Sequence, residues 1–113
     1  MSSLAEPSFP YTGPEFLRQS VLKALRRVVD PELALSIVDV GLVRGVEARP
    51  GLVRVRLTMT SAACPVADVI VDDVHAELDR ALPAGAATAV ELVWEPPWTQ
   101  ADMSARARAF MGW

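Results

Sequence analysis

The sequence predicts an α+β domain: a two-layer sandwich in the order α-β-β-α-β-α, with a small mixed three-stranded sheet and its helices on one face. Three observations carry that expectation. Val53, Val55, Leu57 and Met59 alternate with Arg54, Arg56, Thr58 and Thr60, the period-two pattern of a strand with one buried face. Two stretches, Leu17 to Val28 and Ala67 to Leu82, place apolar residues at helical spacing. Only the valine side of the sheet is apolar enough to bury, so the helices must share that side.

Residues 1–12 hold Pro7, Pro10 and the serines 2, 3 and 8 without periodicity, and read as a flexible N-terminal arm. The single domain then occupies residues 13–113. Thr12-Gly13-Pro14-Glu15 matches a capping box, and Leu17, Val21, Ala24, Leu25 and Val28 follow on one helical face. Asp30-Pro31 should stop this helix, because a residue before proline is pushed out of the α region. Glu32 to Gly41 is apolar but aperiodic and reads as a packed connecting loop. Leu42 to Ala48 is the first strand, Arg49-Pro50-Gly51 the turn, and the second strand runs to about Thr60, a short-loop hairpin.

From Pro65 onward, Ala67, Ile70, Val71, Val74, Leu78, Ala81 and Leu82 form an apolar stripe opposed by Asp68, Asp72, Asp73, Glu77 and Asp79. Pro83-Ala84-Gly85 stops that helix. Thr88, Val90, Leu92 and Trp94 alternate as a third strand, which turns Trp94 inward. Second strand, crossover helix and third strand should make a right-handed βαβ unit. Trp94-Glu95-Pro96-Pro97-Trp98 can be neither helix nor central strand. Trp94 is expected to cover the end of the core. Trp98, with Pro96 and Pro97, is expected to stand out as an aromatic anchor for a partner. Thr99 to Asp102 is a second cap signal, and Met103, Ala107, Phe110 and Met111 share a face of a short final helix.

Composition narrows the function classes. A chain of 113 residues with 51% hydrophobic and 22% charged residues is of ordinary globular type and needs no disulfide or structural metal to fold. Its net charge of −3, with basic residues scattered, lacks the stripe that nucleic acid requires. No apolar run approaches membrane-spanning length, and no signal peptide is apparent. One cysteine cannot close an internal disulfide, so a reducing, cytoplasmic setting is expected.

That cysteine, Cys64, sits where the strand pattern ends and the helix pattern begins, immediately before Pro65. Proline favours the first turn of a helix, so the sulfur is expected at a helix N-terminus, where unpaired N–H groups favour a thiolate. The plainer reading is a buried, inert thiol, since free cysteines are among the most buried residues. The single histidine, His75, lies about 16 Å along the same helix, too far to act as its base, and is expected to be solvated. A cysteine–histidine hydrolase is thereby disfavoured, as is any small thiol enzyme. One cysteine without a neighbouring histidine cannot complete a zinc site or the four-thiolate shell of an ordinary iron–sulfur cluster. The other ligands in reach of the pattern are carboxylates: Asp30 and Glu32 around Pro31, and Asp39. Composition alone favours the plainer reading, a helix-terminating turn with Asp30 bonded to backbone. A labile, incomplete site is compatible with this set, and so is a metal site at Cys64 shared between two chains of a homodimer.

Several of these residues fall into one pattern: Asp30-Pro31-Glu32, Ser36 to Val43, Thr58-Met59-Thr60 with Cys64-Pro65, Val93 to Trp98, and Met103-Ser104. Together they resemble the metal–sulfur-cluster assembly domain family, which includes SufT-like and PaaD-like members and the eukaryotic cytosolic iron–sulfur targeting factor. The likeness spans about residues 15–113 and is strongest to single-domain SufT-like members. It implies the iron–sulfur-assembly type of α+β fold and a non-enzymatic role in maturing iron–sulfur proteins. It further implies a functional thiol at Cys64 and a pocket at Asp30, Glu32, Thr60 and Ser61. The cofactor would be iron or an iron–sulfur cluster, held transiently, and the partners client or assembly proteins. Ala34 departs from a proline in many members, Ala62-Ala63 from a Pro-Gly before the cysteine, and the C-terminal cysteines of longer relatives are absent here. The alternative from the residues themselves is a thiol-independent adaptor that docks through Trp94 to Trp98.

Overall fold

A computed structural model describes residues 9–61 and 64–113. The elements in order are β1 (Tyr11–Thr12), α1 (Glu15–Arg26), β2 (Val29–Asp30), β3 (Leu35–Ser36), α2 (Ile37–Val40), β4 (Val43–Arg49) and β5 (Leu52–Leu57). They continue with α3 (Ala67–Ala81), β6 (Ala87–Leu92) and α4 (Ala105–Met111). Single 3-10 turns at Cys64–Val66 and Gln100–Asp102 precede α3 and α4. The main sheet has the order β1-β4-β5-β6. Strands β4 and β5 form the expected antiparallel hairpin about Pro50-Gly51, and β5 and β6 run parallel across the α3 crossover.

The expected layers are present. Val46, Ala48, Val53, Val55 and Leu57 from the sheet share one core with Val21, Ala24 and Leu25 of α1 and Ile70, Val74 and Leu78 of α3. Arg54 and Glu91, on the opposite face, remain exposed. Burial of the valine side is the main driving force, since each fully buried Val or Leu contributes about 1.5–3 kcal/mol.

Several boundaries differ from the sequence expectation. The sheet has four strands, because Tyr11–Thr12 pairs in parallel with Val46–Glu47, and the Val46 N–H donates to Pro10 O at 2.9 Å. The expected arm therefore joins the sheet from Pro10 onward, and its residues 1–8 lie outside the described residues. Thr12 is a strand residue and does not cap α1; the N-cap is Pro14, with no side-chain bond, held by the Tyr11 hydroxyl donating to Pro14 O at 2.6 Å. Helix α1 ends at Arg26, ahead of Asp30-Pro31, since Val29 and Asp30 pair with Ser36 and Leu35 in a two-residue ladder.

The expected loop from Glu32 to Gly41 is instead a small hairpin followed by one helical turn. Ser36 Oγ accepts the Val38 N–H at 3.1 Å and caps α2, while Gly41 closes it at φ 88°. A Cβ at Gly41 would collide with the Asp102 carbonyl, so glycine is needed there both for its conformation and for this close approach. Ala34 has φ 60°. That conformation is closed to proline, whose φ is fixed near −65°, so the alanine is consistent with the turn this chain makes.

Candidate functional site

Three segments meet at the end of the sheet where the parallel strands β5 and β6 finish. The first leaves β5. The Thr58 N–H donates to Leu42 O at 2.8 Å, extending strand geometry past Leu57, so Thr58, Met59 and Thr60 stay buried. The chain then turns, with the Cys64 N–H donating to Thr60 O at 3.0 Å, and Cys64 is exposed. It lies in a 3-10 turn, three residues before the first residue of α3. The expectation of a thiol set directly on the first turn of the helix is corrected: Pro65 and Val66 intervene, so the α3 dipole acts from a turn away.

The second segment leaves β6. Val93 N–H donates to Leu57 O at 2.7 Å, after which the ladder ends. Trp94 is 52% exposed, whereas Trp98 packs against the core and its indole N–H donates to Val40 O at 2.8 Å. The roles expected of the two tryptophans are reversed. The alternation that pointed Trp94 inward holds only while the strand lasts, and a tryptophan that buries its ring needs an acceptor for its N–H. Trp98 finds one on α2. Pro96 and Pro97 are exposed as expected.

The third segment fixes the second. Arg44 donates from Nη2 to Pro96 O at 2.8 Å and from Nη1 pairs with Asp102 at 3.5 Å. Asp39 accepts from Ser104 Oγ at 3.1 Å and Arg106 at 3.2 Å, and Ser104 N–H donates to Asp39 O at 2.9 Å. Arg44, missed in the sequence, was signalled there by a lone cation inside the apolar run of the first strand.

The first two segments line a groove of about 690 Å³ formed by Thr58, Met59, Thr60, Ser61, Cys64, Trp94, Pro97 and Trp98. The structure thus brings Cys64, Thr60 and Ser61 together with the tryptophan segment. Asp30 and Glu32 do not line that groove. Asp30 is fully buried, its Oδ1 accepting the Glu32 N–H at 2.8 Å, and Glu32 is exposed. Asp30 Oδ2 is buried without a hydrogen-bond partner, so the residue works at least as a turn former and holds one carboxylate oxygen in reserve. His75 is half-buried with Nδ1 2.7 Å from Thr88 Oγ1, not solvated as expected. A smaller apolar hollow of about 270 Å³ at the far end of the sheet, beside Phe16, Leu52 and Leu82, contains no nucleophile.

Chemically, the groove is lined by one soft sulfur ligand, three hydroxyl residues and an aromatic wall. Among the described residues no three of His, Cys, Asp and Glu come close enough to hold a metal ion. No described helix is long and apolar enough to cross a membrane.

Comparison with known proteins places the chain. A family described as iron–sulfur cluster assembly protein matches residues 18–92. The Fe-S protein maturation auxiliary factor YitW of Bacillus subtilis is 43% identical over 99 residues, covering 87% of this chain and 96% of its own. The auxiliary factor SufT of Staphylococcus aureus is 41% identical over 86 residues, 75% of this chain and 97% of its own. A domain of unknown function from Bacillus anthracis superposes with a TM-score of 0.80 at 37% identity, over 87% of this chain and 93% of its own. A conserved hypothetical protein of Thermotoga maritima gives 0.72 at 33% identity, over 90% and 97%.

Proposed function

Because the chain belongs to the iron–sulfur cluster assembly protein family, we propose that it matures iron–sulfur proteins in the cytoplasm by presenting Cys64 to iron, to a cluster or to a client. The observation that carries this reading is the exposed sulfur at the rim of a groove walled by Trp94, Pro97 and Trp98. An exposed thiol can reach a metal held by another molecule, and an aromatic wall beside it gives that molecule a surface to dock on. Thr60 and Ser61 line the same groove as the sulfur. One thiolate fills one of the four positions that ordinary clusters need. The cargo is therefore completed by a second thiol donor, and such a site exchanges its cargo readily.

The test is complementation under anaerobic conditions. In a strain lacking this protein, Cys64→Ser should accumulate to the wild-type level and fail to restore the activity of cluster-dependent enzymes. Reconstitution with iron and sulfide should give absorbance only when a second thiol donor is present, and none with Cys64→Ser. A stable cluster on an isolated monomer would contradict the proposal.

A second reading is favoured by one observation, the 52% exposure of Trp94 beside exposed Pro96 and Pro97. In it the protein is an adaptor and the thiol is dispensable. Full rescue by Cys64→Ser together with loss of rescue by Trp94→Ala would establish the adaptor in place of the thiol carrier.

A further inference from the structure

The two edges of the main sheet are built differently. Along β4 the outer side is paired by β1 at Val46 and Glu47, and a register shift interrupts it between Val43 and Gly45. The other edge is β6, whose register with β5 runs unbroken from Ala87 to Leu92. The Ala87 and Val93 N–H groups donate to Gly51 and Leu57 carbonyls of the β5 side, at 2.8 and 2.7 Å. Strand alternation then turns the main-chain groups of Thr88, Val90 and Leu92 away from the sheet. No described residue pairs with them. Natural edges are usually blunted by proline, lysine, a bulge or a covering element. This one carries none of the first three, and its single charge is Glu91.

We propose that the β6 edge is a self-pairing surface, on which a second copy of this chain adds its own β6 antiparallel about a two-fold axis through Val90. The register follows from the hydrogen-bonding parity. Val90 faces the partner's Val90, and Thr88 faces the partner's Leu92, each opposed pair exchanging both of its N–H···O bonds. The half-buried Val90 and Leu92 side chains extend one apolar row across the junction. On the other face Glu91 falls opposite the partner's Ala89, so no like charges are directly opposed, a pattern that favours a second copy over an acidic partner strand. The joined sheet has eight strands, twice the present four. Its two Cys64 grooves stand at opposite ends, because each lies past the C-terminal end of its own β6. Each copy then presents its thiol to a separate client, and this interface does not build a cluster site shared between the two.

The parity also supplies a clean variant. Val90→Pro removes an N–H that points outward and leaves the β5 ladder intact, a position at which an edge strand tolerates proline. Sedimentation of the full chain up to about 1 mM should show the wild type as a concentration-dependent dimer. Val90→Pro should weaken that dimer roughly tenfold or more with an unchanged circular dichroism spectrum. Should Val90→Pro fail to fold, Leu92→Lys, which keeps every main-chain group, should weaken the dimer in the same way. Wild-type protein that stays monomeric throughout overturns the proposal. So does a folded Val90→Pro or Leu92→Lys variant that dimerises as wild type, or an edge that binds only an unrelated extended peptide.

Discussion

Beyond Leu57 the chain stays inside for three residues and is then exposed at Ser61 and Cys64; beyond Leu92 it emerges at Trp94 and returns at Trp98. Both segments leave the same end of the same sheet from adjacent parallel strands. The difference lies in what the backbone bonds to next. Thr58 still has Leu42 as a neighbour, so the backbone stays paired past Leu57 and Thr58, Met59 and Thr60 all remain buried. Past Val93 no strand neighbour remains, and side-chain position is then set by where an indole can find an acceptor. Periodicity is a property of a ladder, and it holds only as far as the ladder does.

The sharpest way to break this contrast is to cut the two buried anchors. Met59→Ala should destabilise by about 2–5 kcal/mol and Trp98→Ala by about 2–4 kcal/mol, the second also leaving Val40 O without its donor. Denaturant unfolding measures both. Trp98→Phe should recover most of the packing term and none of the hydrogen bond. If Trp98→Ala proved harmless, the returning segment would not be held by its indole.

A smaller effect is expected at the tether. Arg44→Ala should cost about 1 kcal/mol, since its bond to Pro96 O and its pairing with Asp102 are partly exposed. It should also speed quenching of Trp98 fluorescence in a chain whose other tryptophans are replaced by phenylalanine. Unchanged quenching would place the control of this segment elsewhere.

Least of all should change when the emergent residues are cut. Trp94→Ala and Cys64→Ser should each alter stability by no more than about 0.5 kcal/mol, as exposed substitutions do. A large loss in Trp94→Ala would restore the inward tryptophan that strand alternation suggests.

Much of the fold was legible in the sequence for the reason that these two segments differ. The valine alternation of β5, the apolar stripe of α3 and the parallel β5–β6 pair all follow from periodicities sustained over several residues. The two-residue strands β1, β2 and β3 carry no periodic signal at that length and exist because a neighbouring backbone offers partners. At the site, Cys64, Thr60 and Ser61 are neighbours in sequence and were placed together. The family resemblance puts Asp30 in the same pocket, whereas the structure buries it in its own turn, away from the groove lining. The pairing of Arg44 with Pro96 and Asp102, fifty-two and fifty-eight residues away, leaves no local trace beyond a charge among apolar residues.

The contact of Gly41 with Asp102, and of Val40 with Trp98, has a consequence for the order in which the protein comes into being. During synthesis β4, β5 and Cys64 leave the ribosome ahead of Trp98 and Asp102, which follow Cys64 by 34 and 38 residues. A nascent chain can therefore display its thiol while the segment that forms the other wall of the groove is still inside the ribosome. The aromatic wall closes only when the later segment folds back onto α2, where the Trp98 indole meets Val40 O. Metal that met the sulfur earlier would meet a bare cysteine, without the surroundings that distinguish this one.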